Sequence, residues 1–311
     1  MEKTNRAFLR KLKKADGFQK RSVPEKIIFG VVFVLFLAYA IVIAYPLVYL
    51  LIKSLQYTKD YIGATWKEGG MPPTFYFRSG LDFSNYLKAF TEMRQSTANG
   101  EVGLFGMLFN SIWYTATRIV LNVLMCAVTG YNLAKYKFPG SNLLYGIAIF
   151  SMTIPVIGTT GSLYKMASDL GIYNTPFYVI LISLGGFGFN FLVMYGFFSN
   201  VSWSYAEAVF LDGGGHWTAF FKVMLPQATP SLVTLAILGF IGYWNDYNTM
   251  LLFLPSYPTL ASGLYVLDLV MRDQRPIYFA GLVIMLIPVL TVFTVFSDVI
   301  MGNMTVGGLK G

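Results

Sequence analysis

Apolar stretches of about twenty residues recur along the chain with shorter polar segments between them, and a helix of that length crosses the hydrocarbon core of a bilayer. The pattern predicts an all-α polytopic membrane protein with six transmembrane helices, at about 27–52, 104–134, 143–164, 177–198, 232–254 and 278–301. Residues 1–26 form a polar arm ahead of the membrane domain, which takes up the rest of the chain, 27–311. Two polar segments are long enough to carry structure of their own. One, about 53–103, holds Asp60, Glu68, Asp82, Glu92 and Glu101, is punctuated by Met71-Pro72-Pro73, and reads as a capped amphipathic helix over Asp82–Phe90. The other, about 200–227, is rich in glycine.

A few residues inside the spans break the apolar pattern. Thr153-Ile154-Pro155-Val156-Ile157-Gly158 removes a backbone bond from the third span and allows a kink beside a cavity. Gly185, Gly186 and Gly188 permit close helix contact along a single fourth span, and Pro288 makes the sixth kinkable. The fifth span carries Tyr243-Trp244-Asn245-Asp246-Tyr247-Asn248 at its middle. On a continuous helix Asn245 and Asn248 share a face, as do Trp244, Tyr247 and Asn248. Arg118 lies well inside the second span, where an unpaired charge costs at least about 3 kcal/mol, and Asp246 is the candidate partner. The same polar residues could instead form a structural network that locks the spans together. Asp298, near the end of the last span, is expected to reach headgroups or the N-terminal bases and carries no assigned function.

Composition reinforces the membrane reading. With 55% hydrophobic and 12% charged residues and a mean hydropathy of +0.57, the chain is suited to lipid, which overrides the two soluble domains that its length alone would suggest. The net charge of +8 does not imply nucleic acid, because Lys3, Arg6, Arg10, Lys11, Lys13, Lys14, Lys20, Arg21 and Lys26 all precede the first span. Each is worth about 1 kcal/mol against an anionic inner leaflet, so the N-terminus is expected in the cytoplasm. Six spans return the C-terminus to the same side. Thirteen basic residues then fall on inner segments and nine on outer ones, with Arg118 in the membrane. Cys126, alone in an apolar run, allows no intrachain disulfide and hints at no metal cluster. No G-x-x-x-x-G-K-[ST] occurs, and the only histidine, His216, has no nucleophile or second ligand to serve, so no catalytic constellation and no metal site are expected.

The glycine-rich segment reads Glu207-Ala-Val-Phe-Leu-Asp-Gly-Gly-Gly-His-Trp-Thr-Ala-Phe-Phe-Lys-Val-Met-Leu-Pro226. Ser204 and Glu207 have the spacing of a capping box, which predicts a helix from Tyr205, with Tyr205, Ala208 and Val209 on one face. Gly213, Gly214 and Gly215 supply its stop, a second helical stretch runs over about 216–225, and Pro226 marks a break before the next span.

This segment resembles the EAA signature of ABC importer permeases, specifically the carbohydrate-type subunits. Glu207, Ala208, Asp212, Gly213, Leu225 and Pro226 fall in register with it, while Val209 and Gly214 stand where the family has alanine. Asn110-Ser111, the Trp244-Asn245 pair and the ending Thr305-Val-Gly-Gly-Leu-Lys-Gly311 also look like the family's. The resemblance implies a type I ABC importer (MetI-like) fold in a bacterial or archaeal cytoplasmic membrane, with both termini inside. It implies that the EAA segment is a cytoplasmic coupling helix seated on an ATP-binding subunit. Further implied partners are a second homologous permease subunit, two ATP-binding subunits that hold the ATP and Mg, an extracytoplasmic solute-binding protein, membrane lipid and a sugar, an oligosaccharide first. No cofactor is expected on this chain. Trp244, Asn245, Asp246, Tyr247, Asn248 and Arg118 are the residues expected along the substrate pathway, since sugars present apolar faces to aromatic rings and hydroxyls to amides and carboxylates. A glycerol phosphate or polyol permease is the alternative within the family, and an ion-coupled secondary transporter the alternative outside it; no internal repeat of the kind the latter requires is visible. An anionic substrate favours a free Arg118, and a neutral sugar favours an Arg118–Asp246 pair.

Overall fold

A computed structural model of the protein describes residues 23–67, 77–153 and 158–306. Most of the basic arm, the Met71-Pro72-Pro73 segment, Pro155 and residues 307–311 lie outside the described residues. Residues up to Ile52 form one compact unit and Lys53 onward a second. The first holds nearly all of α1 (Val23–Ser54), an apolar helix with Glu25 in its first turn and Lys53 in its last, the charge order that complements the helix dipole.

The second unit begins with the 53–103 segment, described at 53–67 and 77–103. It contains α2 (Thr58–Lys67), α3 (Ser84–Glu92) and an antiparallel hairpin of β1 (Arg94–Thr97) and β2 (Gly100–Gly103), paired from Arg94↔Gly103 to Thr97↔Gly100. The hairpin and an isolated antiparallel bridge between Gln56 and Leu81 are the departures from an all-α chain among the described residues. The expected cap on α3 forms just ahead of the helix. Asp82 Oδ1 accepts from the Ser84 amide at 3.0 Å and from its hydroxyl at 2.5 Å. Asn85, on the buried face, donates to the Ser54 and Gln56 carbonyls at 2.9 Å each and ties α3 to the stretch just ahead of α2.

The helices that follow are α4 (Leu104–Lys135), α5 (Ser141–Thr153), α6 (Thr159–Asp169), α7 (Pro176–Ser183), α8 (Phe189–Asn200), α9 (Ser204–Leu211), α10 (His216–Gln227), α11 (Thr229–Trp244), α12 (Asn248–Phe253), α13 (Leu260–Val270) and α14 (Arg275–Val306). Among the described residues, α1, α4 and the Arg275–Ser297 part of α14 are long and apolar enough to cross a membrane without interruption. The third expected span, 143–164, overlaps α5 and the first half of α6, with 154–157 outside the described residues. Two spans expected to be continuous are not. The fourth is split into α7 and α8 by Leu184-Gly-Gly-Phe-Gly188, where three glycines weaken helical backbone. The fifth is split into α11 and α12 at Asn245-Asp246-Tyr247, because short amide and carboxylate side chains compete for backbone groups that a helix would use. The face-sharing expected along Trp244–Asn248 therefore does not apply. Pro288 sits within α14, which continues past it.

Helix breaks in a membrane leave polar backbone groups that cost several kcal/mol unless something satisfies them. Here α4, which packs against α7, α8, α11 and α13, supplies the partners. Its polar side chains recur every four residues at Asn110, Tyr114, Arg118 and Asn122, a spacing that holds them on one slowly winding stripe. Asn110 donates to the Pro258 carbonyl at 2.9 Å, ahead of α13. Tyr114 donates to Asp246 at 2.6 Å, in the break of the fifth span. Asn122 donates to the Gly185 carbonyl at 3.3 Å, and Thr129, two turns on, donates to that of Gly186 at 2.7 Å, both in the break of the fourth. A side chain on Gly186 would put its Cβ 2.6 Å from Thr129 Cγ2, so the glycine is what lets this break lie against α4. Cys126 is buried and unpaired on the same helix, as its apolar context predicts.

Candidate functional site

The glycine-rich segment folds as an elbow between α9 and α10. Its stop is the one expected: Gly213 takes φ +80, its amide bonds to the Phe210 carbonyl at 3.1 Å, and the Gly214 amide bonds to the Val209 carbonyl at 2.8 Å, the paired bonds of a Schellman cap. Its start is not the expected one. Trp203 is already helical, at φ −67 and ψ −22, and Ser204 makes no side-chain cap bond. Ser202 takes that role instead, its hydroxyl accepting from the Ser204 amide at 3.3 Å, and the Glu207 amide bonds to the Trp203 carbonyl. The capping box at Ser204 and Glu207 is thus corrected to a serine cap two residues earlier. The buried face is also different: Ala206 is fully buried, while Tyr205 is half exposed.

After the elbow, α10 starts at His216 and adopts a π-helical turn over Ala219–Met224, with the Leu225 amide bonding back to the Phe220 carbonyl. It ends at Gln227, beyond the expected Leu225, and meets α11 at a 72° bend just past Pro226. The elbow is fastened to the rest of the unit by aromatic packing. The Tyr131 ring of α4 lies 5.3 Å from Phe198 and 4.9 Å from Phe220, in a core shared with Met194, Ala206, Ala219 and Met224. Lys135 donates to the Val201 carbonyl, closing the end of α4 onto the same segment.

The outward face of the elbow carries Glu207, Ala208, Asp212 and Gly213, all exposed, together with Pro226; Leu225 is half-buried. Two large apolar side chains join them: Leu211 is 89% exposed and Trp217 73%, the latter stacked on Phe221 at 5.8 Å. Sequence reasoning did not single these out, because apolar residues in a helix are normally read as core. Beside them a cavity of about 320 Å³ is lined by Val128, Tyr131, Asn132, Tyr136, His216, Trp217 and Phe220. His216 Nδ1 lies 2.8 Å from the Tyr136 hydroxyl, so the lone histidine is held at this interface.

The second cluster surrounds the break of the fifth span. Asp246 accepts at Oδ2 from Tyr114 and at Oδ1 from the Thr249 amide at 3.0 Å. Arg118 does not pair with it. The guanidinium stands over the Tyr243 ring, 4.5 Å from its centroid, and Nε is buried without a hydrogen-bond partner among the described residues. The expected Arg118–Asp246 pair is therefore replaced by Tyr114–Asp246, because the phenol one helical turn before Arg118 reaches the carboxylate. Trp244 is buried at 2% exposure, stacked on Phe240 and donating its indole N–H to the Met285 carbonyl at 3.2 Å, which makes it a strut between α11 and α14. Asn245, Tyr247 and Asn248 are exposed, and Tyr247 stacks on Tyr265 at 4.8 Å.

Residues 124–305 match the family described as binding-protein-dependent transport system inner membrane component. The chain belongs to that family. Its members are the permease subunits of ABC importers, membrane components that are not themselves enzymes. The permease is similar to the diacetylchitobiose uptake system permease protein NgcG of Streptomyces coelicolor, 27% identical over 89% of this chain and 87% of that protein. It is similar to the arabinooligosaccharides transport system permease protein AraQ of Halalkalibacterium halodurans, 30% identical over 75% of this chain and 81% of that one. Its fold is shared with a crystal structure of a bacterial ABC transporter involved in the import of the acidic polysaccharide alginate, at a TM-score of 0.71 and 23% identity over 89% and 98% of the two chains. The family match takes in the permease's elbow, the break of its fifth span and all of its later helices. Tyr114 and Arg118 lie ahead of it.

Proposed function

We propose that this permease forms, with a second homologous permease subunit, the pathway by which a saccharide delivered by an extracytoplasmic solute-binding protein enters the cell. Two ATP-binding subunits hold the ATP and Mg, and one of them docks on the α9–α10 elbow. Glu207, Ala208, Asp212, Gly213, Leu225 and Pro226 form the coupling segment, in a 200–227 loop on the cytoplasmic side with both termini. The observation that carries the docking is the exposure of Leu211 and Trp217 beside Glu207 and Asp212. Such a patch, apolar at its centre and charged at its rim, has the make-up of a protein interface. A saccharide is favoured by the relatives, several of which are named for oligosaccharides. Along the pathway Asn245, Tyr247, Asn248 and Arg118 face the substrate, with Asp246 held by Tyr114 and Trp244 supporting from behind.

The test is saccharide uptake by cells that express the whole transporter, together with co-purification of its ATPase. Glu207→Ala and Leu211→Asp are expected to lower both by about tenfold or more at unchanged membrane levels, since interface anchors carry about 2 kcal/mol or more each. Normal co-purification and uptake in both variants would remove the elbow from the coupling path.

A further inference from the structure

The stripe on α4 has one member that the architecture leaves unused. Asn122 and Thr129 donate to carbonyls in the break of the fourth span, Tyr114 to the Asp246 carboxylate in the break of the fifth, and Asn110 to the Pro258 carbonyl in the loop ahead of α13. Arg118 stands between Tyr114 and Asn122 and makes no ion pair among the described residues. Its stacking on Tyr243 engages the ring face and none of its N–H donors, and its Nε is buried without a partner. The nearby Asp246 carboxylate is oriented by bonds from Tyr114 and from the Thr249 amide and makes no ion pair with Arg118. Its charge thus lies within an apolar span with no anion bonded to it among the described residues, and an anionic ligand group is the partner that suits it best. A sugar hydroxyl offers only a dipole, whereas a carboxylate or phosphate matches the planar fork of donors.

We infer that the transported saccharide is acidic and that Arg118 is the residue that recognises its anionic group. The inference rests on the saccharide reading above and narrows it. Tyr243 holds the guanidinium flat, Tyr114 keeps Asp246 from neutralising it, and the exposed Asn245, Tyr247 and Asn248 are left to meet the sugar's hydroxyls and ring faces.

The complete transporter, with its own binding protein, is reconstituted in proteoliposomes and offered a panel of uronate oligosaccharides, sugar phosphates and their neutral counterparts. Wild type is expected to take up an acidic member in preference to its neutral counterpart, the panel distinguishing carboxylate from phosphate. Arg118→Gln is expected to lower that uptake by about tenfold or more per assembled transporter, as loss of a charge-assisted bond does, and Arg118→Lys to keep part of it. The same Arg118→Gln transporter is expected to lose no more thermal midpoint than Tyr243→Leu does, because the charge it removes has no ion-pair partner among the described residues and only the Tyr243 ring beside it. Neutral saccharides carried as well as acidic ones, or a glutamine variant that is unchanged in acidic uptake or lowered in thermal midpoint beyond Tyr243→Leu, would overturn the assignment of Arg118 while leaving the saccharide reading intact. Uptake of no saccharide of either kind would overturn both.

Discussion

Val209 and Gly214 are the two positions where the EAA segment departs from its family pattern, and the structure shows that they depart together. A Cβ on Gly214 would lie 2.5 Å from Val209 Cγ1 and 3.0 Å from the Val209 carbonyl. The larger side chain at 209 fills the space that an alanine at 214 would need. Gly214→Ala alone is therefore expected to strain the elbow by about 1–3 kcal/mol, the usual cost of overpacking. Val209→Ala with Gly214→Ala should recover most of it. Thermal midpoints of the two purified transporters check this, and an additive double variant would refute the coupling. Tyr114 makes a second residue-level case. Tyr114→Phe leaves the Asp246 carboxylate short of one bond at about the same volume, and is expected to cost about 1–3 kcal/mol. It also frees that carboxylate to turn toward Arg118, so acidic uptake should fall further than the stability change explains. Equal losses on neutral and acidic sugars would argue against that second effect.

The elements divide by what their sequence can disclose. Length and apolarity alone identify α1, α4 and α14, since nothing else in a chain of this kind needs so many consecutive apolar residues. The elbow was legible too, because Gly213 and Pro226 act on the backbone wherever they occur. The breaks at 184–188 and 245–247 were not, as their cost is offset by donors on α4 that lie far away in sequence, 132 residues from Asp246 in the case of Tyr114. The recurrence of polar side chains at 110, 114, 118 and 122 was the available signal, and it becomes meaningful only once the acceptors are known. The cap of α9 was placed two residues late because Ser202 and Ser204 are both competent caps. Ser202→Ala is thus expected to cost about 1 kcal/mol and Ser204→Ala markedly less, by thermal midpoint; the reverse order would restore the capping box. For α3, burial works to raise the Asp82 carboxyl, but bonds from Ser84 and the charge of Lys88 at 3.5 Å prevail and hold it below the usual carboxylate range. Its contribution is present above the ordinary carboxylate pKa of about 4 and is lost as pH falls through the lower folded value. Hydrogen-exchange protection of α3, corrected for the pH dependence of the intrinsic exchange rate, should therefore fall in acid, and Asp82→Asn should abolish that fall, which a pH-independent protection in wild type would contradict.

On the scale of the whole molecule, one helix connects the two candidate sites. Arg118 and Tyr131 are both on α4, separated by about 20 Å of helix axis at the usual rise per residue. At one end the stripe holds the broken fifth and fourth spans; at the other, Tyr131 is packed on Phe198 and Phe220, the latter inside the π-helical turn of α10. Under the proposed function, motion imposed on the elbow by an ATP-binding subunit can reach the pathway by moving α4 as a rigid body, because each break is fastened to that helix and not only to its own span. The fully packed aromatic joint at Tyr131 and Phe220 is then the place where coupling is most easily lost. Phe220 is 4% exposed, and Phe220→Leu keeps an apolar side chain while opening the joint. In the reconstituted transporter this variant is expected to retain basal ATP hydrolysis, to lose its stimulation by binding protein and saccharide, and to lower uptake by about tenfold, a barrier change of roughly 1.4 kcal/mol. Normal stimulation with reduced uptake would place the fault in the pathway itself, and α4 would then be a scaffold for the breaks and not the link between the sites.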